Sequence, residues 1–172
     1  MTAGDVIRTE RLRLRHLVQR DVDELYSMFQ DPLVMRYYPA LKSRADTDAW
    51  LDWVFAAYAK NGHGLFAVER ASDGAFLGQC GLMPQTVEGE ALVEIGYLFK
   101  SKHWHRGYAT ESAIGCRDHA FGVLKIPKVI SLVRPENAPS RAVAERMGMS
   151  VDRSTTWRGI PHLIYAVDNT DA

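Results

Sequence analysis

The residues best suited to chemistry form one short turn, His105-Arg106-Gly107-Tyr108-Ala109-Thr110-Glu111, set between a stretch of strand character and one of helix character. Gly107 removes a Cβ where backbone must come close to a ligand, and Ala109 keeps the next turn small. The first N–H groups of the helix have no intrahelical partner. Together they make a nest for a pyrophosphate, and the positive end of the helix adds to the attraction. The alternative is that Gly107 simply caps a surface turn. The turn has neither the GxxxxGKS/T of a P-loop nor the GxGxxG of a dinucleotide fold, which argues against both nucleotide classes. A second candidate is Glu94, an acidic residue inside the otherwise apolar run Leu92-Val93-Glu94-Ile95. It either serves as a proton acceptor, or pairs with an arginine or faces solvent on the polar side of its strand. His103 and His105 form an HxH pair, but no Cys, Asp or third His is spaced to complete a metal site. They are assigned to the loop or to solvent, and no metal is expected.

The elements that must position these residues follow from two alternating periods. Thr9 to Leu17 reads as a strand in which Leu12 and Leu14 alternate with Arg11, Arg13 and Arg15, so that one face is strongly basic. Asp21 with Glu24 is a capping-box pattern, and Val22, Leu25 and Phe29 follow at helical spacing up to Pro32. A second helix is expected from Ser43 to Lys60, closed by Asn61-Gly62. Gly64 to Arg70 and Phe76 to Met83 read as strands joined by Ser72-Asp73-Gly74, with Pro84 ending the second. Glu90 to Phe99 is a strand; the helix after it carries Ala113, Ile114, Arg117, Ala120, Phe121 and Leu124 on one side and is bounded by Pro127. Lys128 to Val133 suits a central strand, and Pro139 to Met147 a helix that Gly148 terminates. Val151 to Trp157 and His162 to Val167, separated by Arg158-Gly159, form a last hairpin. The order βααβββαβαββ predicts an α/β fold with one mixed central sheet and flanking helices. Strand, helix, strand between Glu90 and Val133 is a crossover unit, so those two strands are parallel and adjacent. Ligands in such sheets sit where the C-terminal ends of strands meet helix N-termini, which is where the 105–111 turn stands.

Composition narrows the classes further. A chain of 172 residues with 47% hydrophobic, 24% charged and 10% aromatic residues is an ordinary globular chain of about one domain. Its 21 basic and 21 acidic side chains cancel, so there is no general attraction to nucleic acid or to an anionic membrane, and neither is expected as a partner. Cys80 and Cys116 lie far apart without CxxC or CxxH spacing and are expected to stay reduced. Met1 to Arg8 lacks the apolar stretch of a secretory signal, and the longest apolar run, Val54 to Ala59, is too short to span a bilayer. A cytoplasmic protein is the expectation.

Three groups of residues carry a family resemblance. Glu94-Ile95-Gly96-Tyr97, then Trp104 through Glu111, then Asn137-Ala138-Pro139-Ser140 followed by Glu145-Arg146-Met147-Gly148-Met149, resemble the acetyl-CoA-binding signature of the GNAT N-acetyltransferases. The opening Thr9-Glu10-Arg11-Leu12-Arg13-Leu14-Arg15 is similar to the first strand of the RimJ/RimL branch. The resemblance implies a single N-acetyltransferase domain over residues 1–172, with acetyl-CoA as cosubstrate and no metal. The acceptor would be a primary amine, either a protein N-terminal amine or a small-molecule amine such as an amino acid, polyamine or antibiotic. A homodimer is left open. By the same resemblance, backbone at His105, Arg106, Gly107, Tyr108, Ala109 and Thr110 holds the pyrophosphate. Tyr97, Leu98 and Phe99 would hydrogen-bond the pantetheine arm like an added strand, in a splayed gap between the two parallel strands. Trp104 stands where the family often has Arg or Gln three residues before the glycine.

Passing an acetyl group from a thioester to an amine needs a neutral amine, a stabilised oxyanion and a proton for the departing thiolate. Glu94 is the candidate base, acting directly or through water. A backbone N–H around Leu98 would meet the oxyanion. Asn137 supports the pantetheine or is an ordinary helix cap. Ser140 occupies the position where RimL-like enzymes carry a serine that protonates the thiolate, and is otherwise a plain serine at a helix start. Other GNAT enzymes use a tyrosine four residues further on, where this chain has Ala144. The glutamate that RimL-like enzymes place ahead of the final hairpin has no counterpart among Ser154, Thr155, Thr156 and Trp157. Tyr37, Tyr38, Trp50 and Trp53 wall an acceptor pocket or belong to the core. The competing reading, motivated by the missing tyrosine and glutamate, is a CoA-binding regulatory or interaction module with little catalysis.

Overall fold

Leu12 and Leu14 are fully buried on one side of their strand, while the arginines between and beside them are each ion-paired, Arg15 buried, Arg13 half-buried and Arg11 exposed. Arg15 is buried against Asp21 (Nη1 to Oδ2 2.8 Å, Nη2 to Oδ1 2.9 Å) and Glu69 (Nε to Oε1 2.8 Å). Arg13 reaches Glu69 at 3.2 Å and Asp5 at 3.4 Å. The expected basic face is thus neutralised from within, by acids on neighbouring elements that the strand pattern alone does not show. Asp21 correspondingly does not cap the helix that begins at Val22 through its side chain. Its carboxylate goes to Arg15 and to the Val18 N–H at 2.8 Å.

The structure, a computed structural model, describes residues 4–170; Met1 to Ala3, part of the segment read above for a signal, and residues 171 and 172 lie outside the described residues. In order the elements are β1 (Asp5–Arg8), β2 (Leu12–His16), α1 (Val22–Phe29), α2 (Arg44–Asn61), β3 (Leu65–Arg70), β4 (Phe76–Val87), β5 (Glu90–Phe99), α3 (Tyr108–Gly122), β6 (Lys128–Val133), α4 (Ala138–Arg146), β7 (Ser150–Trp157) and β8 (Ile160–Asp168). They build one α/β domain around a mixed sheet ordered β1-β2-β3-β4-β5-β6-β8-β7, in which only β5 and β6 run parallel. Two points correct the sequence reading. The stretch 9–17 is not one strand: β2 starts at Leu12 and folds back on the additional strand β1, making the order ββααβββαβαββ. Pro84 does not end β4, which continues to Val87 and pairs with β5 across a Glu88-Gly89 turn. Proline is tolerated there because β4 has left β3 at Gly81 and is paired on one side only.

Two apolar layers flank the sheet. On one face α3 and α4 pack Ala113, Cys116, Ala120, Val143 and Ala144 onto Leu12, Leu14, Cys80, Leu82, Ile95 and Phe99. On the other, α1 and α2 pack Leu25, Phe29, Leu51 and Val54 onto Leu65, Ala67 and Met83. Side chains alternate along a strand, so Ile95, Tyr97 and Phe99 face the first layer while Glu94, Gly96 and Leu98 face the second. Among the described residues no helix is long and apolar enough to cross a membrane.

Candidate active site

The parallel strands β5 and β6 are joined by one backbone bridge, Glu94 to Ile130. Beyond it a side chain takes over the link: Ser131 Oγ donates to the Ile95 carbonyl at 2.8 Å. On its other side β5 remains paired with β4 from Glu90 to Phe99. The edge of residues 97–99 facing β6 is therefore free of the ladder, at the end of the sheet where α3 and α4 begin. A free strand edge can pair with an extended ligand through main-chain hydrogen bonds.

Gly107 caps α3 with φ +80° and makes no side-chain cap, and His105 two residues earlier also has positive φ, +60°. Left-handed residues at this spacing curl the chain so that successive N–H groups converge. The turn is braced from below by Arg11. Its guanidinium donates to the Arg106 carbonyl at 2.9 Å, pairs with Glu111 at 2.7 Å and lies 4.8 Å from the centroid of the Tyr108 ring. Glu111 also accepts from Thr9 Oγ1 at 2.6 Å and from the Arg11 N–H at 2.8 Å. Burial alone would raise the Glu111 carboxyl, but these donors outweigh it and hold it below the usual carboxylate range. Trp104 donates its indole N–H to the Phe99 carbonyl at 2.9 Å and so ties the loop to the end of β5. That carbonyl is already engaged, which leaves the Tyr97 N–H and carbonyl and the Phe99 N–H as the free part of the edge; Leu98, expected there from the sequence, turns its backbone groups to Gln79 of β4, in the same phase as the Lys100 N–H on the Leu77 carbonyl.

Glu94 faces the α1 and α2 side. Burial pushes its carboxyl above the usual range, against the pull of the Gln85 amide (2.8 Å), the Leu132 N–H and the charge of Arg158. The expected arginine partner is therefore present only as a charge in the vicinity, and the hydrogen bonds come from an amide and a backbone group. Tyr38, in the loop between α1 and α2, is exposed. Trp50 donates to Gln79 Oε1 at 3.1 Å and packs edge-on against Phe29, with the Lys42 ammonium 5.0 Å from its ring centroid. That is the contact set of a wall residue in the α1–α2 layer. The Tyr37 carbonyl accepts from Arg134 at 3.3 Å, which ties the α1–α2 loop to the end of β6.

The opposite face holds two hydroxyls. Ser140 Oγ donates to Tyr97 Oη at 3.1 Å, and Tyr97 Oη donates to the Ser140 carbonyl at 2.8 Å. Burial raises the Tyr97 phenol strongly. Asn137 Oδ1 accepts from the Ser140 N–H at 3.1 Å and is the N-cap of α4, the plainer of its two expected roles.

Residues 11–150 match the model of the acetyltransferase (GNAT) domain family. The chain belongs to the GNAT acetyltransferase family. The Bacillus subtilis (strain 168) protein YkkB is 37% identical over 166 residues, 96% of each chain. An acetyltransferase from Agrobacterium tumefaciens str. C58 shares the fold with a TM-score of 0.83 at 30% identity, over 97% of this chain and 95% of that one. Mycobacterium smegmatis RimJ, solved in complex with CoA-disulfide, shares the fold at a TM-score of 0.72 and 23% identity, over 91% of this chain and 81% of that one.

Within this GNAT domain the predicted residues fall into three groups around the β5–β6 divergence: the 105–110 turn, Glu94 on one sheet face, and Tyr97 with Ser140 on the other. Sequence reasoning missed Arg11 and Glu111 as the brace of the turn, and Gln85 and Arg158 beside Glu94. Gln85 was legible in principle. A hairpin about Glu88-Gly89 places it opposite Leu92, on the face that Glu94 shares, but Pro84 was read as the strand's end. Arg11 and Glu111 are 100 residues apart and meet only through the packing of α3 on β1 and β2.

Proposed function

We propose that this protein transfers the acetyl group of acetyl-CoA to a primary amine by direct attack of the amine on the thioester. The observation that carries the reading is the single bridge between β5 and β6, with the α3 nest at the same end of the sheet. An extended thioester-bearing arm can add to the free edge of β5 through the backbone groups of Tyr97 and Phe99, on either side of Leu98, while the diphosphate sits on N–H groups of His105 to Thr110. The family membership supports the same cosubstrate, as does the complex of RimJ with CoA-disulfide.

In this reading Glu94 takes the proton of the attacking amine, directly or through water. A carboxyl raised by burial suits a base that must exchange its proton near neutrality. A backbone N–H beside Leu98, that of Tyr97 or Phe99, meets the developing oxyanion. Ser140, with Tyr97 behind it, supplies the proton to the thiolate on the far side of the sheet. Asn137 fixes the start of α4 and with it the position of Ser140. The acceptor is a protein N-terminal amine or a small-molecule amine met in the cytoplasm. The test is a screen of both kinds of amine for release of free thiol from acetyl-CoA. Amine-dependent release is expected, and binding of CoA with no release for any amine would leave a CoA-binding module instead.

A further inference from the structure

Arg158 stands in the two-residue turn between β7 and β8 with φ +51°, followed by Gly159 at +75°. Such turns favour Asn, Asp or Gly at the first position, because a Cβ there is strained. The chain makes the same choice once more, at Glu88 (φ +52°) before Gly89, and there the side chain explains it: Glu88 accepts from Arg153 Nε at 2.9 Å and from Thr155 Oγ1 at 2.8 Å. Arg158 has no carboxylate at ion-pair distance among the described residues. Its guanidinium lies 4.2 Å from the centroid of the Trp157 ring, a cation–π contact that holds the group against the indole and uses no N–H of it on a carboxylate.

The contact also places the guanidinium on the fold. Trp157 packs with Leu132 against Val87, Leu92, Ile130 and Ile164. Leu92 precedes Glu94 by two residues on the same face of β5, and Ile130 is the bridge partner of Glu94. Arg158 is thus held over the Glu94 side of the sheet, close enough for its charge to be felt by that carboxyl. Arg134, at the end of β6, is by contrast paired with Glu136 at 2.5 Å and donates to the Tyr37 carbonyl. Resting on the acetyltransferase reading above, we infer that the acceptor is an amine bearing a carboxylate a few bonds away, and that Arg158 binds this carboxylate while Glu94 faces the amine. A polyamine or polycationic antibiotic would bring its further positive charges against Arg158. The shared chemistry has two sources, a free amino acid or an acidic side chain near a peptide N-terminus.

The test measures thiol release from acetyl-CoA with acceptors in matched pairs, each at equal free-amine concentration: an amino acid and its amide, and a peptide with Asp in second position and its Asn counterpart. The wild-type protein is expected to prefer the carboxylate member of one pair by about tenfold to a hundredfold in kcat/KM, chiefly through KM, and the pair that responds names the source. Arg158→Asn, at ease with positive φ, should keep the hairpin and bring that ratio to about one, and Arg158→Lys should restore part of it. Turnover with a ratio near one in both wild-type pairs, or a ratio unchanged in Arg158→Asn, overturns the inference and leaves the acetyltransferase reading standing. Absence of thiol release with every amine overturns that reading, and the inference falls with it.

Discussion

The hydroxyls of Tyr97 and Ser140 satisfy each other across the gap between β5 and α4, Ser140 Oγ donating to Tyr97 and Tyr97 donating to the Ser140 carbonyl. A serine held in this way is positioned by a neighbour that burial keeps protonated. If Ser140 protonates the thiolate as proposed, Ser140→Ala should lower kcat by about tenfold to a hundredfold with little change in acetyl-CoA affinity, since thiolate is a fair leaving group and such a hydroxyl would act mainly in the transition state. Tyr97→Phe should lower kcat in the same direction by a smaller factor. Steady-state kinetics with a separate binding measurement checks both. A Ser140→Ala protein that loses affinity and keeps kcat would make Ser140 a packing residue of α4.

The nest rests on Gly107 at φ +80°, where an added Cβ would lie 3.3 Å from Arg11 Nη2. Gly107→Asn, which tolerates this backbone, should fold with a loss of about 1 kcal/mol or less. Gly107→Glu should fold less stably and abolish acetyl-CoA binding, because a carboxylate would stand where the diphosphate sits. Calorimetry on both variants decides, and wild-type affinity in folded Gly107→Glu would move the site elsewhere.

The Arg11–Glu111 brace makes a pH-dependent contribution of known sign. Glu111 is held below its ordinary carboxylate range in the folded state. Its stabilisation is therefore complete above the unfolded value near ~4.3 and is lost as pH falls through the folded one. Glu111→Gln should cost about 1–3 kcal/mol at neutral pH. Urea titrations of the two proteins should converge on acidification below about pH 4. A gap independent of pH would mean that the charge of Glu111 contributes nothing.

Glu94 behaves in the opposite sense. Its carboxyl is raised, so ionisation costs stability, and the cost grows as pH rises from the unfolded value toward the folded one. Glu94→Gln, which keeps an oxygen for Gln85 and Leu132, should melt at a higher temperature than the wild type at neutral pH and at the same temperature where Glu94 is protonated. Its kcat/KM at neutral pH should fall by about 10²- to 10⁴-fold and recover partly at higher pH, where the free amine is abundant. Unchanged kcat with a flat pH response would leave Glu94 as a structural residue and shift the base to ordered water.

How far these features were legible in the sequence follows their range along the chain. The helix N-terminus at Tyr108, the parallel neighbours β5 and β6 and the cap at Asn137 come from local pattern and turn chemistry, and the structure has all three. β1 was not legible because a four-residue strand offers too little period to read. The arginine face of β2 read as a charged surface because its partners Asp21 and Glu69 arrive from a turn and from β3. The Tyr97–Ser140 pair spans 43 residues and two elements. No spacing rule joins a strand residue to the first turn of a later helix.

The central claim is that the divergence of β5 from β6, with the turn at Gly107, holds acetyl-CoA. The most direct measurement is amide chemical-shift mapping of the labelled protein during titration with CoA. The largest shifts are expected at Arg106 to Thr110 and Tyr97 to Phe99, with a smaller one at Ser140. Shifts confined to other surfaces, with these amides unmoved at saturation, would contradict it.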